Sequence, residues 1–289
     1  LYAKLNGTEI FFDIEGSSLR KVNSDFYEVP TIIALHGVTG LDHRYLRDGL
    51  GQLSEFAQVV YVDLRGQGRS AQVPAETVTY EQMADDVASL IDALGIRKPY
   101  LFGHSLGGLV AMQAVLGHPG LTRGLILAAP TAAQMHVELA SSYADRASQA
   151  AVEAAGRMVS GDVNTASATR YLEEVGPLLA APMNGNLAAR LTKGSTPNIE
   201  LMRHLLTRRA SEWEVANSLE RISVPVLLLA GAHDWVSPPR DILAMANRIP
   251  RNRYVEFANS GHLLMSEETA SFRAAVEDFL ASDSAPGWY

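Results

Sequence analysis

The sequence predicts an α/β fold in which a mostly parallel, doubly wound sheet is interrupted by an all-α insertion. Three observations predict it. Short apolar runs alternate with helical patterns along most of the chain. Those runs are apolar on successive residues rather than on every second one, as strands covered on both faces are. One long stretch, residues 131–220, carries helical patterns and turn residues but no convincing strand.

In chain order, Tyr2–Leu5 and Glu9–Ile14 flank Asn6-Gly7-Thr8. Asn-Gly between β-type runs signals a hairpin, because both residues tolerate positive φ. The polar stretch from Gly16 to Glu28 reads as a loop. Thr31–Leu35, Val59–Val62, Tyr100–Phe102, Leu125–Ala128, Val226–Ala230 and Tyr254–Phe257 read as strands. Between them, Leu41–Phe56, Thr79–Leu94, Leu106–Leu116, Pro239–Ile249 and Ser266–Leu280 have helical period. This alternation implies right-handed crossovers and a parallel sheet with helices on both faces. The opening hairpin adds antiparallel strands at one edge. Within the insertion, Gln134–Val159, Ala166–Leu179 and Ile199–Leu219 are helical in pattern, separated by Gly-, Asn- and Pro-rich breaks. The expected organisation is a core of residues 1–130 and 221–289 with a helical cap of residues 131–220.

Composition narrows the function classes. At 289 residues the chain can build two domains or one large α/β unit with an insertion. A hydrophobic content of 47% with 19% charged residues is globular rather than disordered. Lys and Arg number 24 against 32 Asp and Glu, a net charge of −8 with no basic stripe. Neither nucleic acid nor an anionic membrane surface is therefore expected as a partner. No apolar run approaches the roughly 18 residues of a membrane-spanning helix, and the first residues have no pattern of a targeting segment. The absence of cysteine removes disulfides, thiolate metal sites and a cysteine nucleophile together. It fits a reducing compartment, so a cytoplasmic location is expected. No H-E-x-x-H or EF-hand pattern occurs, so no metal is expected, and no cofactor is implied.

The strongest chemical signal is Gly103-His104-Ser105-Leu106-Gly107-Gly108. It follows a predicted strand and opens an apolar helix, the context in which G-x-S-x-G forms a nucleophile elbow. A serine on such a strained turn needs flanking residues without Cβ atoms. The turn lifts the Ser105 hydroxyl beside a helix N-terminus, where free N–H groups favour negative charge. A nucleotide-binding turn is the competing reading. It fails because G-x-G-x-x-G is absent and Gly107-Gly108 is not followed by Lys-Ser/Thr.

With four further motifs, the chain resembles the α/β-hydrolases over nearly all of its length, least in the helical insertion. His36-Gly37-Val38-Thr39-Gly40 lies where that family places its oxyanion loop. Asp63-Leu64-Arg65-Gly66-Gln67-Gly68-Arg69-Ser70 resembles its D-x-x-G-x-G-x-S turn. The segments Gly231 to Pro238 and Ser260-Gly261-His262 resemble its acid and histidine loops. The resemblance implies a catalytic triad of Ser105, Asp234 and His262. It also implies an oxyanion hole made by the backbone N–H groups of Val38 and Leu106.

The triad also follows from chemistry. A serine hydroxyl needs an adjacent base. Of eight histidines, His36 sits inside the oxyanion loop and should hold it by hydrogen bonds. His104 neighbours the serine and should point elsewhere. His43, His118, His136 and His204 fall on predicted helices or their ends, as surface or capping residues. His233 is an ordinary loop residue. His262 alone follows the last strand on a small-residue loop, at the sheet edge where open α/β folds bind ligands. The loop after the strand at 125–128 carries no carboxylate, so Asp234 is the candidate for the orienting acid, with capping of the helix from Pro238 onward as its other role, while Asp63 should be structural. A serine in the elbow argues against the family's members that attack with a carboxylate.

A small-molecule substrate is expected, with the chain as monomer or homodimer. The insertion resembles the family's cap, which roofs the serine and shapes its pocket. Within it Trp213 is a candidate pocket residue. Tyr2 to Gly7, His43 to Leu46, Pro197 to Glu200 and Ser211-Glu212-Trp213 resemble pieces of proline iminopeptidases. That resemblance would make Glu200 a cap carboxylate for a substrate ammonium. The iminopeptidases' acidic residue after the catalytic aspartate is Trp235 here, which leaves an ammonium under-paired. Trp235 suits a small, largely apolar ester, lactone or amide. The alternatives on the same scaffold are an iminopeptidase-like aminopeptidase, C–C bond hydrolysis or lyase chemistry, and a ligand-binding receptor that keeps the triad.

Overall fold

The computed structural model describes residues 1–37, 41–130, 147–184, 186–193, 197–207 and 215–283. Its strands are β1 (Tyr2–Leu5), β2 (Thr8–Glu15), β3 (Leu19–Val22), β4 (Asp25–Glu28), β5 (Thr31–Leu35), β6 (Gln58–Val62), β7 (Tyr100–His104), β8 (Gly124–Ala128), β9 (Val226–Gly231) and β10 (Asn252–Phe257). Eight of them form one sheet in the order β1-β2-β6-β5-β7-β8-β9-β10. The pairs β1/β2 and β2/β6 are antiparallel, and every other pair in this sheet is parallel. The sequence expectation holds, including the antiparallel edge. Asn6 and Gly7 take φ of 45° and 73° in the β1–β2 turn, the left-handed geometry that Asn-Gly allows.

The continuous apolar runs are explained by burial on both faces. Ile33, Leu35, Val60, Val62, Leu101 and Leu228 face a core shared with the helices Tyr80–Ala93, Leu106–Gly117 and Pro239–Ala246. Their neighbours Ile32, Ala34, Val59, Tyr61, Phe102 and Leu229 face the opposite core, packed by Phe272, Val276 and Phe279 of the helix Thr269–Asp283. The helix at Tyr80 begins where expected because the Thr79 side chain accepts the Gln82 N–H at 3.1 Å.

Three expectations change. Residues 16–28 are not a loop throughout: β3 and β4 pair as a separate hairpin, with Val22 opposite Asp25 across Asn23 at φ 58°. All eight residues of these two strands are exposed, so no face is buried and no alternation marks them. The stretch 41–56 is a set of short turns, 3-10 at His43–Leu46 and Gly51–Glu55 around an α turn at Arg47–Leu50, rather than one helix. The last helical pattern is divided into Leu264–Glu267 and Thr269–Asp283.

Between β8 and β9 no strand occurs among the described residues. Helices Gln149–Val159, Thr165–Glu174, Leu187–Thr192 and Ile199–Thr207 fill this part of the chain. They are anchored on both sides of the sheet: Leu201 and Leu205 join one core, and Ala180, Leu187 and Ala188 join the other.

One buried ion pair ties the edge of the sheet to its interior. Arg65, after β6, donates from Nε and Nη2 to the two oxygens of Asp86 at 2.7 and 2.8 Å, and both side chains are 5% exposed. Arg65 also donates to the Asn6 carbonyl at 3.1 Å, and the Asn6 amide donates to Asp86 at 2.9 Å. The turn β1–β2, the segment after β6 and the helix Tyr80–Ala93 therefore meet at one carboxylate. Asp86→Ala leaves a buried guanidinium without its partner and should cost about 3–5 kcal/mol, read by urea unfolding. A loss below about 1 kcal/mol would contradict this role.

Candidate active site

The site begins where β7 ends. Ser105 has φ 53° and ψ −119° and is followed at once by the helix Leu106–Gly117. Its flanking glycines are required by contact distances. A Cβ on Gly103 would lie 2.5 Å from the Gly107 carbonyl oxygen and 2.5 Å from the Gly108 Cα. One on Gly107 would strike the Leu35 carbonyl oxygen and come within 2.6 Å of that of His36. On Gly37, it would lie 2.7 Å from the Ser105 Cβ. Strand β5, strand β7 and the helix thus touch backbone to backbone around a half-buried Ser105. Leu106 is the first residue of its helix, so its N–H has no acceptor within the helix. Val38, the other expected oxyanion donor, lies outside the described residues.

The loops that carry Asp234 and His262 are stitched together at the ends of the paired strands β9 and β10. The His233 N–H donates to the Ser260 carbonyl at 2.9 Å, and Gly231 is packed so closely on Gly261 that a Cβ there would strike its carbonyl oxygen. This brings His262 Nδ1 to 2.7 Å from Asp234 Oδ2, with both residues 4% exposed. The other Asp234 oxygen accepts the N–H groups of Val236 and Ser237 at 2.8 and 3.0 Å. A carboxylate can only accept, so Nδ1 carries a proton, and in the neutral imidazole the lone pair is then on Nε2. An imidazole held in this tautomer can act as a general base through Nε2.

A buried hydrogen-bond chain places His262 beside the elbow. His104 Nε2 lies 2.8 Å from the His262 carbonyl oxygen, and the two rings are 4.8 Å apart. A carbonyl only accepts, so Nε2 donates and Nδ1 accepts the Tyr45 hydroxyl at 2.7 Å. That hydroxyl in turn accepts the Gly37 N–H at 2.7 Å. As expected, the His104 ring turns away from the role of base. Burial, with His262 close by, holds its pKa well below the ordinary histidine value.

His36 and Asp63 have the structural environments expected of them. His36 Nε2 accepts the Leu64 N–H at 3.1 Å, and burial pushes its pKa down to about 4. Asp63 is fully buried and accepts the N–H groups of His43 and Arg69 at 2.9 and 2.8 Å. Burial raises its pKa, but the 2.6 Å bond to His43 Nδ1, the nearby imidazoles and the Arg69 N–H together hold it below the ordinary carboxylate value. His43 is the correction: it is 2% exposed and bonded to Asp63, not a surface or capping residue. Its place in a short 3-10 turn packed on β6, rather than in a regular helix, puts it inside.

The expected pocket residues fare differently. Trp235 does follow Asp234, but it is 7% exposed and packs against Ala151, Ala154 and Val175 of the helical segment. Its indole N–H donates to the Leu178 carbonyl at 2.7 Å. The ring is an anchor between the Asp234 loop and those helices. Glu200 is exposed and lines a surface cleft with Gln72, Pro74 and Asn198; none of Ser105, Asp234 and His262 lines that cleft. Trp213 lies outside the described residues. The sequence did not single out Tyr45, although a tyrosine near a G-x-S-x-G histidine is only meaningful once folding brings them together. Among the described residues no group of three or more His, Asp or Glu side chains could hold a metal ion. No helix among them is long and apolar enough to cross a membrane.

The sequence pattern of the alpha/beta hydrolase fold matches residues 30–269, so the chain belongs to the alpha/beta hydrolase fold family. Its relatives include RutD of Pseudomonas savastanoi pv. phaseolicola, a carbamate hydrolase by name. That protein is 28% identical over 262 residues, covering 88% of this chain and 94% of its own. A proline iminopeptidase of Lacticaseibacillus rhamnosus is 26% identical over 274 residues, covering 87% and 90%. Among solved structures, a thermophilic esterase from Thermogutta terrifontis superposes with a TM-score of 0.74 at 25% identity, covering 96% and 95%.

The two buried histidines with lowered pKa values contribute to the acid stability. Unfolding returns His36 from about 4 to its ordinary value of 6.5, so the unfolded chain binds more protons between those pH values. Stability is then fully present above about pH 6.5 and is lost as pH falls toward 4. From His36 alone the loss at pH 5 is about 2 kcal/mol. Urea unfolding at pH 7 and pH 5 should show this drop, and His36→Gln, which keeps an acceptor for Leu64, should reduce it. Equal wild-type stability at the two pH values would contradict the neutral-histidine account.

Proposed function

We propose that the chain is a serine hydrolase that cleaves a small, largely apolar ester, lactone or amide through an acyl-enzyme and needs no cofactor. The observation that carries this reading is the Asp234–His262 pair fixed beside a strained Ser105 elbow. In the proposed cycle Ser105 Oγ attacks the substrate carbonyl as His262 Nε2 takes its proton. The Leu106 and Val38 N–H groups hold the oxyanion, a donor of this kind being worth about 3 kcal/mol in the transition state. His262 then protonates the leaving group, and water resolves the acyl-enzyme by the same route. Asp234 keeps His262 in its tautomer and stabilises the imidazolium.

Residues 131–220 serve in this reading as a cap over Ser105, shaping the acyl and leaving-group sites. The relatives' names support a carbonyl substrate, since esters, carbamates and peptides share that centre. Against an ammonium-dependent aminopeptidase stand Trp235, turned into packing where a second carboxylate would be needed, and Glu200, out in a separate cleft. A buried ammonium without a paired carboxylate is strongly disfavoured.

Turnover of p-nitrophenyl acetate with a burst of nitrophenol tests the reaction, and Ser105→Ala should abolish it. Wild-type kcat in that variant would end the acyl-enzyme reading. Absent turnover with stoichiometric ligand binding would favour a receptor instead. The substrate class is tested by a prolyl arylamide, its N-acylated analogue and a short-chain aryl ester. The ester should be the best substrate, with no advantage from the free amine. A more than tenfold preference for the free amine that Glu200→Gln removes would make the iminopeptidase reading correct.

The two carboxylates should separate in kind. Asp234→Asn should leave KM nearly unchanged and lower kcat by up to about 10⁴-fold, since an amide favours the wrong His262 tautomer. Asp63→Asn should act on stability, because it sits against His43 and the turn at Arg69. A kcat loss confined to the Asp63 variant would overturn the assignment of the acid.

A further inference from the structure

We propose that Glu267 is a positioning residue for this site, one carboxylate that both sets His262 against Asp234 and locks the helical segment to that setting. The proposal rests on the hydrolase reading for its kinetic consequence. Glu267 ends the short turn Leu264–Glu267 and is half-buried. Its Oε1 accepts the N–H of Gly261 at 2.9 Å and that of Leu263 at 3.2 Å, the residues on either side of His262. Its Oε2 accepts the N–H of Ala181 at 2.7 Å and the Asn184 side-chain amide at 3.4 Å, both from the segment between β8 and β9.

The same segment also meets the base loop directly. The His262 N–H donates to the Leu179 carbonyl at 2.7 Å. Gly261 lies under the segment so closely that a Cβ would come within 2.7 Å of the Leu179 oxygen and 3.0 Å of the Ala181 nitrogen. Trp235, next to the acid, holds the adjoining Leu178 carbonyl. The N–H groups of residues 261, 262 and 263 are thus each satisfied by Glu267 or by the segment that Glu267 holds. A shift of residues 178–184 is therefore a shift of the imidazole.

The chemistry demands a carboxylate. It presents two oxygens with about four acceptor sites and no donor, and here all four sites face donors. A glutamine of the same shape has one acceptor oxygen, and its NH₂ would face two N–H groups on the other side. Either the His262 loop or the segment at 181–184 must let go. Misplacing a reacting group by about 1 Å costs on the order of 100-fold in rate.

The test is Glu267→Gln, read by kinetics on p-nitrophenyl acetate, by thermal unfolding and by proton NMR of the low-field Nδ1–H signal that an imidazole bonded to a carboxylate gives. The expected result is a kcat lower by roughly 10- to 100-fold, a KM changed far less, a cooperative unfolding transition, and a low-field signal broadened by exchange with water. A folded variant with wild-type kcat and an unchanged signal would overturn the proposal. Amide hydrogen exchange on the wild type tests it without any variant. The Gly261 and Leu263 amides should exchange as slowly as those of β9, and exchange at open-loop rates would overturn the clamp. If the wild type does not turn the ester over, the hydrolase reading has failed. The proton signal and the amide protection then still decide whether Glu267 holds His262.

Discussion

Ser105 stands at φ 53° and ψ −119°, a backbone conformation that costs on the order of 1–3 kcal/mol and survives only where the surroundings over-determine it. The surroundings here are main-chain atoms. The Ser105 N–H donates to the Ala128 carbonyl of β8 at 3.0 Å, and the Ser105 carbonyl accepts the Gly108 N–H at 2.9 Å. Gly103 and Gly107 let the helix seat against β7 and β5 with no side chain between them. The elbow therefore exists only because three adjacent parallel strands end at the right level, and those strands are held by cores on both faces. The apolar runs and the helix patterns, which carry no chemistry, hold that geometry.

Around the elbow, polar groups are fixed by partners that leave them one protonation state. His104 is buried between a donating hydroxyl and an accepting carbonyl, so its tautomer is decided by Tyr45 and His262 rather than by solvent. His36, fully buried on the Leu64 N–H, is held neutral. Asp63 gathers the N–H groups of His43 and Arg69 and so shapes the glycine turn after β6. Each of these groups orients a loop at the sheet's carboxyl edge. That division of labour, structural polar groups in fixed states around one pair left for proton transfer, is what the proposed mechanism requires.

Much of this was legible in the sequence, for physical reasons that can be named. The Ser105 turn and the Asp234 loop follow β7 and β9, whose residues are buried throughout, so both the strand and the loop after it can be located from pattern alone, whereas β10, before the His262 loop, is only partly buried and interrupted by Glu256. Exposure removed that signal in one place: β3 and β4 are exposed on every residue and left no periodicity to read. At His43 the error was one of local geometry, since a 3-10 turn rotates side chains differently from the α-helix assumed. Trp235 was expected to line the pocket, and the partner it packs against, Ala154 of the helical segment, lies 81 positions earlier in sequence. Glu267 reaches Ala181, 86 positions away, and Tyr45 reaches His104, 59 positions away, which no local spacing encodes.

The central claim is that Ser105 is a nucleophile activated by His262. Intact-protein mass spectrometry after exposure to a fluorophosphonate tests it most directly, followed by mapping of the modified peptide. The account predicts one phosphonyl group per chain, on Ser105, added quickly to the wild type and very slowly when His262 is replaced by Ala. A wild-type chain that remains unmodified, or one modified elsewhere while Ser105 stays intact, would contradict it.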